Sequence, residues 1–283
     1  MSETLVSLWT AARRRLEAAG VDSPVIDARL LLEAGAGVGR VDIVTDPRRP
    51  VSADQVAAVE ALLRRREARE PIGHILGRKG FWTMDFAVNA DVLSPRPETE
   101  LLVEVAMETL PKGWPARVLD LGVGSGAILL SVLAERPHST GVGVDASEAA
   151  LAVARANAAR HGLSDRATLQ LGDWAEGIEG PFDLILSNPP YIPSGDIAGL
   201  DPEVAKWEPR LALDGGPDGL EPYRRIMAEL PRLLAPGAAF AFEVGRGQAE
   251  AVQALAEAQG LTTTTPRMDL AGIPRVVAGR RAA

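Results

Sequence analysis

The sequence has no cysteine and only three histidines among its 283 residues. The lack of thiols excludes disulfides, zinc–thiolate sites, iron–sulfur clusters and cysteine nucleophiles. The histidines, His74, His138 and His161, are scattered along the chain instead of clustered. We therefore expect no metal site.

Long hydrophobic runs and a basic excess are also missing. No apolar stretch approaches the ~18 residues that a membrane-spanning helix needs, and acidic Glu3 is not followed by a long hydrophobic stretch. The net charge of −8 does not favour duplex-DNA binding. The basic runs Arg13–Arg15 and Arg64–Arg66 alternate with acids in helical patterns, so we interpret them as solvated helix faces. We expect a cytoplasmic monomer without a direct nucleic-acid or membrane partner.

The first part of the chain has helical periodicity. Leu5, Leu8 and Leu16 recur at helical spacing, and Ser52-Ala-Asp-Gln55 is a capping box that predicts the start of another helix. Later, β-rich runs from Phe81 to Leu93 around Asn89-Ala-Asp91 predict a hairpin. The length allows two domains, and we place a helical domain at 1–78, a hairpin and linker at 79–96, and a second domain at 97–283.

From Arg117 onward, short apolar runs alternate with helical stretches. This alternation predicts an α/β fold with an open, mostly parallel sheet and ligand sites at the carboxyl ends of its strands. The predicted strands are Val118–Leu121, Gly141–Val144, Ala167–Leu171, Phe182–Leu186 and Ala238–Val244. The clearest helices are Ala127–Glu135, Glu148–His161 and Glu221–Leu234.

A glycine-rich loop follows the first predicted strand, in the segment Asp120-Leu-Gly-Val-Gly-Ser-Gly126. Glycines let the backbone approach a ligand closely, and a helix amino terminus favours negative charge. Asp145 ends the second strand about 20 residues after the loop, where a carboxylate can accept hydrogen bonds from two ribose hydroxyls. Asp145 could instead be a helix-terminal acid near Ser147. The spacing does not separate NAD from another nucleoside-bearing cofactor.

Asp173 and Trp174 follow the third predicted strand. An adenine ring could be held there, with the carboxylate accepting the exocyclic amine and the indole packing on the ring face. Trp174 could equally be a partly buried core residue.

The segment Ser187-Asn-Pro-Pro-Tyr191 directly follows the fourth predicted strand. Two successive prolines remove two amide donors and predict a rigid extended turn with free carbonyls. A planar amide or amine nitrogen is a poor nucleophile because its lone pair is delocalised. If the Asn188 side-chain oxygen and the Pro189 carbonyl accept its two N–H groups, the nitrogen is oriented for attack on a sulfonium methyl. Tyr191 would pack against the planar group, and the motif disfavours a dehydrogenase.

The chain resembles the bacterial release factor glutamine methyltransferases over nearly its whole length. The matching segments are Glu70–Gly77, Ser94–Glu100, Asp120–Gly126, Asn188–Tyr191, Trp207–Leu213, Gly215–Gly219 and Asp269–Val277. The Asn-Pro-Pro-Tyr motif alone is shared with DNA adenine methyltransferases and other amino methylases. DNA adenine-N6 methylation, another amino methylation and a non-catalytic cofactor-binding role are therefore the alternatives.

The resemblance implies an amino-terminal helical domain that engages the protein substrate, joined by a hairpin to a Rossmann-like class I methyltransferase sheet. It implies that S-adenosyl-L-methionine is the methyl donor and S-adenosyl-L-homocysteine the product. The substrate would be the glutamine of the Gly-Gly-Gln loop in class 1 peptide chain release factors. Two departures are Val123, where the family commonly has threonine, and Phe81–Phe86, which differs from the usual hairpin.

The resemblance also implies roles for particular residues. Asn188, Pro189 and Tyr191 would be catalytic, and with Pro190 they would bind the acceptor glutamine. Arg96, Glu98 and Thr99 would line the substrate pocket. The cofactor would contact Gly122, Val123, Gly124, Ser125, Gly126, Asp145, Trp174 and Asn188.

Overall fold

The structure, a computed structural model, describes residues 3–283 and divides into two compact units. The first unit runs to Gly77 and also contains Asp201–Trp207. The second comprises Arg78–Leu200 and Glu208–Ala283. A short segment from the middle of the chain therefore belongs with the amino-terminal helices.

The first unit is helical. Thr4 and Ser52 cap two of its helices through capping boxes, so the one predicted at Ser52–Gln55 is confirmed. Leucines at helical spacing, among them Leu16 and Leu31, are fully buried between the helices. The helices are α1 (Leu5–Ala18), α2 (Pro24–Ala36), α3 (Arg40–Thr45), α4 (Ala53–Glu67) and α5 (Ile72–Leu76).

The interpretation of Arg64–Arg66 as a solvated face is wrong for Arg66. Its guanidinium is buried, with Nε 2.7 Å from Oδ2 of Asp27 on α2 and Nη1 3.0 Å from Oε1 of Glu203. A buried cation needs paired acids because desolvation is otherwise too costly. Asp27 and Glu203 are distant in sequence from Arg66, so the basic run alone gives no sign of this cluster.

The second unit begins with a two-stranded hairpin, β1 (Arg78–Phe81) and β2 (Met84–Ala87). Phe81 pairs with Met84, so the turn consists of Trp82 and Thr83. The prediction of a hairpin around Asn89-Ala-Asp91 is wrong in position. That segment is a separate turn, in which the Asn89 side-chain oxygen accepts the Asp91 amide, a local bond that competes with strand pairing.

The predicted parallel α/β sheet is confirmed. Its strands are β3 (Arg117–Leu121), β4 (Thr140–Asp145), β5 (Ala167–Leu171), β6 (Phe182–Ser187), β7 (Leu234–Glu243), β8 (Thr262–Thr263), β9 (Arg267–Met268) and β10 (Pro274–Arg280). The order is β5-β4-β3-β6-β7-β10-β8, with β9 against β10. The five strands β3 to β7 are mutually parallel, whereas β10 is antiparallel to β7.

Helices cover both faces of this sheet. They are α6 (Glu100–Thr109), α7 (Ala127–Glu135), α8 (Glu148–Arg160), α10 (Glu221–Leu233) and α11 (Ala249–Ala258), while the one-turn helix α9 (Pro202–Ala205) belongs to the first unit. Alternate residues of β3 join different buried clusters, Val118 with α7 and Leu119 with α10. The strand order reverses beside β3, because β4 lies on one side and β6 on the other, so a crevice opens at their carboxyl ends.

Candidate active site

A cavity of about 420 Å³ lies at the carboxyl ends of these strands, all within the second unit. The volume is in the range that small-molecule ligands occupy. Residues of interest from the sequence that line it are Arg96, Thr99, Gly122, Val123, Gly124, Ser125, Asp145, Asp173, Trp174, Asn188 and Pro190. Four further predicted residues lie outside its lining, namely Glu98, Gly126, Pro189 and Tyr191.

The glycine loop forms one wall of the cavity. Gly122, Gly124 and Gly126 have φ values of +76°, +52° and +84°, which side chains with a Cβ rarely adopt. The amides of Gly122 and Val123 both donate to the Val144 carbonyl, so they are engaged within the protein. The loop forms an open wall, since a Cβ built on Gly124 would have no heavy atom of the described residues within 4 Å apart from Gly124 and its two chain neighbours.

Val123 takes the position where threonine is common in the family that the sequence resembles. Its side chain is 5% exposed and belongs to the buried cluster beneath the sheet. A Cβ on Gly143 of β4 would lie 2.7 Å from its Cγ2. The methyl that replaces the hydroxyl therefore packs into the core and leaves the loop backbone in place.

Asp145 ends β4 beside the glycine loop. Its Oδ2 accepts the Gly124 amide at 2.8 Å and its Oδ1 accepts the Ser147 amide at 2.9 Å. Burial raises the pKa of Asp145, while these backbone hydrogen bonds lower it. Each carboxylate oxygen has lone pairs beyond those in use, so two ribose hydroxyls can still be accepted. Ser147, whose side chain accepts the Ala150 amide, is the helix cap of α8.

Asp173 and Trp174 lie together on the cavity wall after β5. Trp174 adopts φ +54°, and a Cβ on Gly122 would be 3.5 Å from its ring, so glycine at position 122 leaves room for the indole. Asp173 forms an ion pair with Arg225, with Oδ2 2.6 Å from Nη2. The second carboxylate oxygen of Asp173 is not used by that ion pair.

The Asn-Pro-Pro-Tyr segment leaves β6 directly into this cavity. The hydroxyl of Ser187 donates to the Leu121 carbonyl at 2.6 Å and joins the ends of β6 and β3. Asn188 Nδ2 donates to Thr99 Oγ1 at 3.3 Å, and the amide oxygen remains able to accept a hydrogen bond from a ligand. The structure thus brings together Thr99 and Asn188, which the sequence analysis had assigned to the same pocket.

Tyr191 lies behind the segment, packed against the buried cluster that contains α10. Burial, and then the nearby charge of Glu243, raise its pKa to about 12, so the hydroxyl stays protonated. Its backbone carbonyl accepts Nε2 of Gln248 at 2.9 Å. Arg96 points to Glu208, with Nη2 3.1 Å from Oε1.

Two buried carboxyl groups near the cavity were not singled out as site residues. Asp120 ends the Val-Leu-Asp run of β3, and burial raises its pKa to about 7. Glu243 ends β7, and burial raises its pKa to about 7 as well. A charged residue inside an otherwise apolar strand is itself a signal, because such residues are seldom fully buried.

The fold and the residues at the carboxyl ends of the strands define the class of protein. A glycine loop that is open at Gly124, a half-buried acid at the end of β4 and a cavity with Trp174 in its wall fit a nucleoside-bearing cofactor. Residues 97–199 match the methyltransferase small domain, and residues 7–77 match the PrmC N-terminal domain. The chain is an S-adenosylmethionine-dependent methyltransferase of the Rossmann-like class I fold, and the prediction of this methyl donor is confirmed.

Similarity to known proteins identifies the family within this class of methyltransferases. A release factor glutamine methyltransferase of Caulobacter vibrioides is 55% identical over 280 residues, covering 99% of this chain and 97% of that protein. One from Rhodospirillum rubrum is 49% identical, covering 95% and 82%. The crystal structure of a methyltransferase from Pyrococcus furiosus, 18% identical with a TM-score of 0.54 over 72% of this chain and 92% of that one, shares the fold. The chain belongs to the release factor glutamine methyltransferase family.

Within residues 3–283 no helix is long and apolar enough to cross a membrane. No group of three or more histidine, aspartate or glutamate side chains in that range is arranged to hold a metal ion.

Proposed function

We propose that the protein transfers the methyl group of S-adenosylmethionine to the side-chain amide nitrogen, N5, of the glutamine in the Gly-Gly-Gln loop of class 1 release factors. The observation that carries the proposal is the Asn188 amide, held by Thr99 at the wall of the cofactor cavity. The relatives that are named for this activity support it. Release factors act in translation, so the cytoplasm is the proposed site of action.

The acceptor glutamine is oriented by hydrogen-bond acceptors. Asn188 Oδ1 and the Pro189 carbonyl accept its two N–H groups, because the prolines leave the carbonyls of this segment without competing amide donors. The bound cofactor supplies a methyl group on a positively charged sulfur. Asn188 and Pro189 would orient the nitrogen toward that methyl group, whose bond to sulfur would break to leave a neutral thioether, and orientation of this kind lowers the barrier without a strong base. The amide proton becomes acidic only as the new N–C bond forms, and it leaves to solvent.

The remaining predicted residues fit around this centre. Gly122–Gly126, Asp145, Trp174 and Asn188 are proposed to contact the cofactor, with Asp145 on the ribose hydroxyls. Pro190 and Tyr191 are proposed to bind the acceptor, with Tyr191 supporting the turn from behind. Arg96, Glu98 and Thr99 are proposed to border the substrate.

The function is tested by incubating the protein with methyl-labelled S-adenosylmethionine and a class 1 release factor. We expect label on the release factor, and none on a variant whose Gly-Gly-Gln glutamine is replaced by alanine. Duplex DNA is included as a second acceptor. Label on DNA with an unlabelled release factor would show the adenine-N6 alternative to be correct, and cofactor binding without any transfer would favour a non-catalytic role.

Asn188→Ala tests the site itself. We expect kcat to fall by about 100-fold, the size of loss seen when one preorganised hydrogen-bond partner of a transition state is removed. The affinity for S-adenosylmethionine, measured by calorimetry, should change far less. Gln259→Ala, which removes an exposed amide at the end of α11, is the control and should retain full activity. Near-normal turnover of Asn188→Ala would remove Asn188 from the proposed role.

A further inference from the structure

The carboxyl group of Glu243 lies next to Asn188 at the edge of the sheet. Strands β6 and β7 are parallel neighbours, and their register pairs Ser187 with Phe242. The next residues, Asn188 and Glu243, therefore leave the sheet side by side. Glu243 is 2% exposed, and its Oε2 has no hydrogen-bond partner among residues 3–283. Such a buried acid is costly, so its presence here calls for a reason.

Two hydroxyl groups and two charged side chains act on Glu243, and the charge of Glu98 raises its pKa. Burial raises its pKa, while hydrogen bonding from the Thr99 hydroxyl, the charge of Arg275 and hydrogen bonding from the Tyr191 hydroxyl lower it. Arg275 is itself bound to Asp269, with Nε 3.0 Å from Oδ2. The hydroxyl contacts of the Glu243 carboxyl therefore lead to Tyr191, the last residue of the Asn-Pro-Pro-Tyr turn, and to Thr99, which binds its first.

Thr99 connects Glu243 to Asn188. A hydroxyl has a single proton to donate, and a carboxylate can only accept. Above the Glu243 pKa of about 7, where this group is ionised, Thr99 donates to the carboxylate and only its lone pairs remain for Asn188, so the Asn188 amide must present its NH₂ group there. This agrees with the bond from Asn188 Nδ2 to Thr99 Oγ1. The amide oxygen is then directed away from Thr99, toward the cavity.

We propose that Glu243 is a positioning residue that acts through Thr99 to fix which end of the Asn188 amide faces the substrate. The proposal rests on the proposed function, in which the Asn188 oxygen accepts an N–H of the acceptor glutamine. A neutral amide at position 243 can donate to Thr99, which frees the Thr99 proton to turn toward Asn188. The Asn188 amide then has no preferred orientation, and part of the population presents NH₂ to the acceptor nitrogen, which also carries only N–H donors.

The kinetic test compares Glu243→Gln with Thr99→Val. We expect each to lower kcat at least tenfold, roughly the effect of one lost hydrogen bond, with the cofactor dissociation constant changed less than about twofold, since the contact acts on the acceptor side. Thr99→Ser restores the hydroxyl and should be at least about fivefold more active than Thr99→Val. Glu250→Gln, at an exposed carboxylate on α11, is the control.

Coupling is tested by the double variant. If Glu243 acts through Thr99, Glu243→Gln should add little to Thr99→Val. Effects that multiply would show that the two residues act independently and would overturn the proposal, as would wild-type kcat in Glu243→Gln. Thermal unfolding shows whether Glu243→Gln is folded. If it is not, equal kcat values for Thr99→Val and Thr99→Ser would overturn the proposal.

A spectroscopic test keeps the proposal separate from the proposed function. The side-chain ¹⁵N–¹H signals of Asn188 are assigned by their loss in Asn188→Ala. We expect Thr99→Val and Glu243→Gln both to shift these signals in the protein without a release factor, and unchanged signals would refute the linkage. If the wild-type protein fails to label a release factor, the proposed function is contradicted. The Asn188 side-chain signals would still report whether Glu243 and Thr99 influence the Asn188 amide.

Discussion

At the scale of single residues, Asp120 is an acid placed where an acid is unfavourable. It is fully buried, Oδ2 accepts the Leu129 amide at 3.2 Å, and Oδ1 has no partner in the described part of the chain. Burial raises its pKa from 3.8 to about 7, one backbone hydrogen bond lowers it, and the charge of Asp145 raises it further. The folded protein therefore holds a proton on Asp120 that the unfolded chain has already lost.

This proton predicts how stability depends on pH. Between the unfolded pKa near 4 and the folded pKa near 7, the folded state binds more protons, so the free energy of unfolding falls as pH rises. Each pH unit in that window costs about 1.4 kcal/mol. We expect Asp120→Asn, which cannot ionise, to lose less stability than wild type between pH 5 and pH 8, as measured by urea unfolding without cofactor.

Asp165→Asn, at an exposed carboxylate, is the control for the Asp120 experiment and should follow the wild-type curve. If the free energy of unfolding of Asp120→Asn falls with pH as steeply as that of the wild type, other groups, such as Glu243, produce the pH dependence.

Sequence reasoning located the residues whose signal is local. The glycine loop, Asp145 and Asn188 each follow a predicted strand, and the rule that ligands bind at the carboxyl ends of parallel strands was enough to bring them together. The bond from Asn188 to Thr99 and the position of Glu243 depend on which strands are neighbours. Because β6 and β7 pair across about fifty intervening residues, no short window of sequence contains that information.

At the scale of elements, the strands with strong apolar patterns were predicted and the weak ones were not. β10 contains Pro274 and Gly279 and pairs antiparallel with β7 and with the short strand β8, and its apolar pattern is short. The hairpin was misplaced because Trp82, at φ +54°, is an unusual turn residue, whereas Asn89-Ala-Asp91 has the composition of a turn. Turn type is decided by the pairing of Phe81 with Met84 more than by composition.

The loop after the Asn-Pro-Pro-Tyr turn is held by close backbone contacts. Gly219 has φ +74°, and a Cβ there would lie 2.3 Å from the Tyr191 carbonyl oxygen. Gln248 Nε2 donates to both the Tyr191 and Gly219 carbonyls, at 2.9 and 3.2 Å. The glycine-rich segment 215–219 therefore supports the Asn-Pro-Pro-Tyr turn from behind.

Gly219→Ala should displace this turn. We expect a loss of roughly 2 kcal/mol or more in unfolding free energy, from positive φ and from the steric clash, and a fall in kcat of at least about tenfold because the acceptor is misplaced. Gly237→Ala is the matched control. Its φ is +76°, but no heavy atom of residues 3–283 lies within 4 Å of the added Cβ, so about 1 kcal/mol should be lost without a change in kcat. Equal kcat for the two variants would contradict the role of Gly219.

At the scale of the whole molecule, the helical unit is built from two separate segments of the chain. Asp201–Trp207 belongs to that unit although the residues on both sides of it belong to the sheet unit. Within the helical unit, Glu203 Oε1 lies 3.0 Å from Arg66 Nη1 and 2.5 Å from Arg69 Nε, and the Trp207 indole donates to the Ala68 carbonyl at 3.3 Å. Side chains on both ends of the short segment thus bind the end of α4.

The last prediction separates the helical unit from cofactor binding. Glu203→Ala leaves Arg66, whose side chain is 7% exposed, with Asp27 as its remaining acid. Breaking one side of a buried charged pair should lower the stability of this unit by roughly 2 kcal/mol. Hydrogen exchange of α4 should therefore accelerate. The affinity for S-adenosylmethionine should not change, because every residue that lines the cavity lies in the sheet unit.

Glu17→Ala is the matched control for Glu203→Ala. Its carboxylate is 3.5 Å from Arg13 within α1 and is 47% exposed, so its loss should cost no more than about 0.5 kcal/mol. If both variants leave the exchange of α4 unchanged, the buried cluster contributes little to stability. If Glu203→Ala weakens cofactor binding tenfold, the two units are energetically coupled through Asp201–Trp207, and the assignment of cofactor binding to the sheet unit alone is wrong.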